Sequence, residues 1–207
     1  MIVTWNVRGI NKQARHREIS SYISTFSVPI CALLETKVKQ NNADKIRKSF
    51  GPNWKFEDNY EHNSNGRICI LWKHNKVNIK VLKTNVQFIH VEVYALDQTH
   101  MQTIIVTYAF NQLEHKRRLW KDIELLSNNT SSPWIVMGDF NNVASCQERI
   151  GGKEVTEAKF RDLIDMLQMD DLFEATTKGP HFTWTNKHTT GVIYSTIDRV
   201  LGNTTWY

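Results

Sequence analysis

The 207 residues hold only three cysteines, Cys31, Cys69 and Cys146, odd in number and far apart. That excludes a disulfide framework and a paired-cysteine metal site, and it makes a reducing, intracellular compartment, cytoplasmic or nuclear, the expectation. Prolines number four and glycines nine, and no Pro or Gly/Ser tract runs on, so no linker divides the chain. Internal repeats and low-complexity segments are absent. No apolar run approaches the ~18 residues of a spanning helix, which excludes a membrane protein. The first residues, MIVTWNVRGI, lack a basic stretch followed by a long apolar one, so they do not read as a signal peptide. Charge of one sign is scarce as well: the net charge is +5. It is unevenly spread, with +7 over residues 1–103 and −2 over 104–207, and a basic first half suits a polyanionic partner without requiring one.

What is present is ordinary globular material, 41% hydrophobic and 23% charged, in a length that favours a single domain, 1–207. Apolar runs alternate with helical periodicities. Ile2–Trp5, Ile30–Leu34, Ile68–Trp72, Val77–Leu82, Phe88–Leu96, Thr103–Tyr108, Trp134–Met137, Phe182–Thr185 and Ile197–Leu201 read as strands. Helices are expected over Arg15–Phe26 (Ile19, Tyr22, Ile23 and Phe26 inward), 43–50, Glu114–Leu126 (Leu119, Trp120, Ile123 and Leu126 inward, under a basic face) and Thr156–Met169 (Phe160, Leu163, Ile164 and Leu167 inward). Strand hairpins interleaved with helices predict a mixed α/β sandwich rather than a doubly wound sheet.

Several polar residues close these apolar strands. Asn6 ends the first and Glu35 the second, Tyr108 ends Thr103–Thr107, and Asp139 and Asn141 follow Trp134–Met137 in Gly138-Asp139-Phe140-Asn141. Asp198 sits inside Ile197-Asp198-Arg199-Val200. Each alone is an ordinary turn or strand-end residue, and Asp198 alone reads as an ion-pair partner of Arg199 or a neighbour. Glu35 is the sharpest, because a carboxylate directly after Leu33-Leu34 needs a cation or several donors to stay ionised. Mg²⁺ answers that need with one or two protein carboxylates, water and substrate phosphate. An acid and an amide at one strand end can position water and stabilise an oxyanion. The histidines His90, His100, His181 and His188 show no metal-ligand spacing and read as surface or strand residues.

Taken in order, TWNVRG, LLET, VTYAFN, GDFN and IDRV resemble the endonuclease/exonuclease/phosphatase superfamily over residues 4–201. NGRICILW (65–72), HKRRLWKDI (115–123), GDFNNVASCQERIGG (138–152) and FTWTN (182–186) resemble the endonuclease domain of plant LINE-type (non-LTR) retrotransposons. The resemblance implies a four-layered, DNase I-like α/β sandwich with two packed mixed β-sheets flanked by helices. It implies Glu35 as the principal metal-binding residue with Asn6 beside it, and Tyr108 as a group on the reacting phosphate. Asp139 would orient or deprotonate the attacking water, Asn141 would contact the phosphate, and Asp198 would be an acid near the site. Arg8, Thr183 and Ser195 are the substrate-side candidates. The implied reaction is Mg²⁺-assisted hydrolysis of a DNA phosphodiester, with Mn²⁺ as the alternative ion, by a monomer whose full-length product carries a reverse transcriptase domain.

One departure stands against this. The superfamily's sites end in a Ser-Asp-His segment on a later strand, whereas nine residues follow Asp198 and none is histidine. Nine extended residues reach about 30 Å, too little to finish one strand and return in another. The expectation is a fold lacking its last strand or strands, incomplete at the C-terminus, with reduced or absent cleavage. The alternatives are a non-catalytic nucleic-acid-binding module using Arg8, Lys12, Arg15, Arg67 and Lys116–Arg118, a relic of a decayed element, or an abasic-site endonuclease or phosphatase on the same scaffold.

Overall fold

A computed structural model describes residues 1–207, which divide into two compact units, Met1–Tyr108 and Ala109–Tyr207. The two units are of about equal size.

In the first unit, β1 (Ile2–Asn6) runs parallel to β2 (Ile30–Leu34), joined by α1 (Gln13–Thr25). After α2 (Ala43–Lys48), β3 (Trp54–Asp58) and β4 (Ile68–Lys73) complete a sheet in the order β1-β2-β4-β3. Every residue of β2 is buried, as its unbroken apolar run requires of a strand covered on both faces. Cys31, Leu33 and Leu71 meet Ile19 and Ile23 of α1 with Val7, Ile10, Val28, Val38 and Ile46 in one core cluster. Ile19 and Ile23 are fully enclosed, each worth roughly 2 kcal/mol of apolar burial. The helix ends at Thr25 and is closed by Ser27, which is left-handed (φ +50), while the Val28 N–H returns to the Ile23 carbonyl; Pro29 then precedes β2.

Two inward expectations fail here. Tyr22 is 39% exposed and Phe26 52% exposed. They wall an open groove with Val3, Thr4 and Trp5, whose ring meets Tyr22 edge-on at 5.3 Å. The reason is that β1 is the outer strand of its sheet, so the helix turns past the last covering strand.

A second, antiparallel sheet in this unit holds β5 (Asn78–Thr84), β6 (Phe88–Tyr94) and β7 (His100–Tyr108), and it touches the first through β4 and β7. The alternation along 88–96 predicts a half-buried strand. The alternation holds over Val91–Tyr94, but Phe88, Ile89 and His90 are buried in succession, in a stretch of β6 flanked by strands on both edges.

In the second unit, α3 (Leu113–Ser127) leads to β8 (Trp134–Asp139), buried throughout. β9 (Arg149–Ile150) precedes α4 (Arg161–Met169). The helix expected from Thr156 is a single 3₁₀ turn at Glu157–Lys159 followed by this shorter α-helix, with Leu163 and Met166 buried and Phe160, Ile164 and Leu167 half-buried. Two-residue strands β10 (Phe173–Glu174), β11 (Trp184–Thr185) and β12 (Tyr194–Ser195) and the longer β13 (Asp198–Gly202) finish the chain. β13 pairs antiparallel with β8 and with β10, while β12 lies between β9 and β11. No helix is long and apolar enough to cross a membrane.

Candidate active site

In the first unit, β1 and β2 end side by side. Asn6 is in register with Leu34, one residue before Glu35. The chain then crosses over in a ladder: the Val7, Gly9 and Ile10 N–H groups donate to the Leu34, Glu35 and Thr36 carbonyls at 3.0, 2.8 and 2.9 Å. Glu35 and Arg8 both occupy the left-handed region, φ +55 and +50, a conformation that non-glycine residues adopt at a cost of order 1–3 kcal/mol. Such strain is characteristic of functional loops held by their surroundings. The Asn6 side-chain oxygen accepts the Arg8 N–H at 3.2 Å, and the Arg8 side chain is exposed.

A side-chain cation already meets Glu35: Lys37 Nζ lies 2.6 Å from Glu35 Oε1. The Glu35 side chain is 21% exposed and that of Lys37 60% exposed, so the pair faces solvent and can exchange partners. Glu35 and Asn6 supply hard oxygen donors, and the carboxylate already holds a positive charge, which suits Mg²⁺ and not a soft metal. No group of three or more His, Cys, Asp or Glu side chains converges as a metal cluster, so an ion at Glu35 and Asn6 would keep most of its water.

Tyr108 ends β7, and its N–H donates to the Gln87 carbonyl at 2.9 Å. Arg67 grips it twice: its Nη2 donates to the Tyr108 carbonyl at 2.9 Å, and its guanidinium carbon lies 4.2 Å from the phenol ring centroid. Gly66 of the NGRICILW string makes the turn before Arg67 possible. It has φ +56, and a Cβ there would meet Thr36 Oγ1 at 2.8 Å and the Tyr60 ring at 2.9 Å.

In the second unit, β8 and β13 bring two carboxylates into register, Asp139 opposite Asp198. Asp139 is 2% exposed. Its Oδ1 accepts the Asn141 N–H at 2.9 Å, and its carbonyl accepts the Ala109 N–H at 2.9 Å. Asn141 is left-handed (φ +47) and its Nδ2 donates to the Ala109 carbonyl at 2.7 Å. Thr183, whose side chain is exposed, accepts the Ile197 and Asp198 N–H groups at its Oγ1, both at 3.1 Å, so it sets the backbone that carries Asp198. Ser195 is buried on β12, and its carbonyl accepts the Thr183 N–H at 3.1 Å. The unit therefore gathers Asp139, Asn141, Asp198, Thr183 and Ser195 around the ends of β8 and β13, and the other unit gathers Asn6, Arg8 and Glu35.

Arg199 is not the partner of Asp198 in an ion pair. Its side chain is fully buried between Glu148 and Glu174, which ties β13 to the segment after β8 and to β10. Of the Lys116–Arg118 cluster, two members stay on the surface in ion pairs and one is buried. Lys116 is 7% exposed and points inward, Arg117 pairs with Asp162 at 2.9 Å, and Arg118 pairs with Glu114 at 3.1 Å.

Lys37, Arg67 and Lys116 were not singled out as partners of site residues from the sequence. Lys116 had a signal: 116, 119, 120 and 123 are spaced i, i+3, i+4, i+7, the buried face of α3.

The chain matches the family described as "Endonuclease/Exonuclease/phosphatase family" over residues 3–207. No match appears among curated protein sequences. Among solved structures, the endonuclease domain of TRAS1, a telomere-specific non-LTR retrotransposon, superposes with TM-score 0.71 at 14% identity, covering 98% of this chain and 84% of that one. The AP endonuclease LMAP from Leishmania major gives 0.74 at 12% identity over 99% and 79%, and D. rerio TDP2 complexed with single-strand DNA product gives 0.66 at 13% over 98% and 82%. These likenesses establish the fold as the DNase I-like α/β sandwich expected from the motifs. With its ordered motifs at the strand ends and a family match over nearly its whole length, the chain belongs to the endonuclease/exonuclease/phosphatase family.

Proposed function

We propose that this chain hydrolyses phosphodiester bonds of DNA with Mg²⁺, as a nicking endonuclease of the LINE retrotransposon type. The observation that carries the reading is the Asp139 carboxylate, 2% exposed, hydrogen-bonded to the Asn141 N–H, and in register with Asp198. A carboxylate held this firmly at the carboxyl end of a strand acts as an oriented base for water. Asn141 offers an amide to a phosphate oxygen, and Tyr108, backed by the Arg67 guanidinium, offers a phenol donor to another. Glu35 and Asn6 would hold the ion, and Lys37 would then release Glu35. When bound, Mg²⁺ neutralises charge developing on the phosphate oxygens. The TRAS1 domain belongs to a retrotransposon, and the TDP2 structure carries a DNA product, which supports DNA over a small phosphate ester.

The test is a substrate panel of supercoiled plasmid, an abasic-site duplex and a phosphomonoester, each with Mg²⁺ and with EDTA. Mg²⁺-dependent conversion of plasmid to open circles supports the reading. Preference for the abasic duplex would reassign the chain to repair-type incision, and turnover of the monoester alone would make it a phosphatase.

A further inference from the structure

Lys116 is an anomaly for a lysine on an amphipathic helix. Of the charged residues of α3, it alone is buried, and its Nζ donates to the Asn141 carbonyl and to Asn142 Oδ1 at 3.0 Å. Both acceptors belong to the turn that follows Asp139. One turn further along the same helix, Trp120 stacks on Phe140 at 5.8 Å and 19°. Helix α3 thus holds the Asp139–Asn142 turn at two points, one apolar and one cationic. The turn needs holding, because Asn141 sits at φ +47 and Asn142 is buried with its Nδ2 on the Val143 carbonyl.

We propose that Lys116 is a positioning residue for this turn, its ammonium fixing the directions of the Asn141 amide and the Asp139 carboxylate. The proposal rests on the reading of Asp139 and Asn141 given above. Two lines support it. Buried acceptors left without a donor are costly, so the Asn141 carbonyl and Asn142 Oδ1 keep the ammonium in place, and the ammonium keeps them. Burial also pushes the Lys116 amine down to about 8, opposed by the Asp139 carboxylate, which is the charged group that acts on it. That opposition is reciprocal: the ammonium favours the ionised carboxylate that a base requires. Lys116 also lines a pocket of ≈ 450 Å³ together with Asn141, Asn142, Arg149, Lys159 and Ser195, and Arg149 and Lys159 add positive charge to it.

The experiment uses the whole chain with Lys116→Met, Lys116→Arg and Asp139→Asn. Methionine keeps most of the volume and removes the charge, and arginine keeps the charge. The first readout needs no activity: NMR of the Asn141 side-chain amide and titration of the Lys116 ε-carbon. The amide resonances should move to exposed-like positions in Lys116→Met and be largely retained in Lys116→Arg, with strand β8 resonances unchanged. Asp139→Asn should lower the Lys116 midpoint by roughly one unit. That shift tests the charge coupling itself, while the Asn141 amide positions and the acid limb of the pH profile separate positioning from a merely structural role. The second readout is nicking: Lys116→Met should lose roughly 10- to 100-fold in kcat at unchanged KM, with the acid limb of its pH profile moved upward. An unmoved amide or an unmoved midpoint overturns the proposal even if the wild-type chain proves unable to nick. If the wild type nicks and Lys116→Met nicks equally well with the same acid limb, the proposal is overturned on activity.

Discussion

Each unit pairs a site carboxylate with a lysine, and the two pairs are built in opposite ways. Glu35 and Lys37 lie two residues apart on one loop, 21% and 60% exposed at their side chains. Asp139 and Lys116 come from a strand and a helix, 2% and 7% exposed, and the lysine is anchored by the turn between them. An exposed pair is worth little and is screened, so its cation is replaceable. A buried cation with fixed acceptors cannot leave without stranding them. On the proposed reading, the difference separates two tasks: one carboxylate exchanges its cation, and the other keeps its direction.

The largest test of that contrast is removal of the fixed carboxylate. Asp139→Ala should lower the Mg²⁺-dependent nicking rate by roughly 10³-fold or more with the fold retained, checked by single-turnover kinetics beside circular dichroism. Glu35→Gln should act instead on the ion, raising the Mg²⁺ concentration for half-maximal rate by at least the roughly 10- to 100-fold that loss of a metal's supporting partner costs. If saturating Mg²⁺ fails to restore Glu35→Gln, the exchangeable role is wrong. Smaller, and opposite in sign, is Lys37→Met, which removes the ammonium that competes for Glu35 and should improve the apparent Mg²⁺ affinity about 2- to 5-fold. A loss of affinity there would mean that Lys37 supports the ion rather than yielding to it.

The contrast extends to pH through a third buried group. His90 on β6 is 5% exposed, neither ring nitrogen has a hydrogen-bond partner, and burial pushes its imidazole down to about 4. Between pH 6.5 and 4 the unfolded chain therefore takes a proton that the folded chain refuses, so stability falls as pH falls through that window. His90→Leu should flatten the fall and raise stability at pH 5 by about 1–2 kcal/mol, read from urea unfolding at pH 5 and 7.5. Parallel curves for the two proteins would show that the imidazole is solvated.

The placement of Asn6, Glu35, Tyr108 and Asp139 was legible in the sequence because each closes an apolar run, whereas Asp198 opens β13 and Asn141 lies in the turn after β8. Leu33-Leu34 before Glu35, Val136-Met137 before Asp139 and Val106-Thr107 before Tyr108 mark strand ends, and strand ends are where the side chains gather. What was not legible is which long side chain reaches which of them. Arg67 comes to Tyr108 from 41 residues away, and Lys116 comes to Asn141 from 25 away. Such contacts depend on tertiary placement and leave no local periodicity, apart from the helical spacing that puts Lys116 on the buried face. The same limit explains the two-residue strands at Arg149–Ile150 and Tyr194–Ser195: they are too short to show alternation and form by pairing with each other. The sequence leaves the partners of Asp198 and Arg199 open for a related reason. Asp198 stands in register with Asp139, while alternation along the strand puts the Arg199 side chain on the other face, with Glu148 and Glu174.

The most direct test of the whole account is a time course on supercoiled plasmid with the wild-type chain and Asp139→Ala side by side, in Mg²⁺ and in EDTA. The account predicts open circles from the wild type in Mg²⁺ alone, and none from Asp139→Ala. Nicking that persists in Asp139→Ala, or that is unaffected by EDTA, would contradict it.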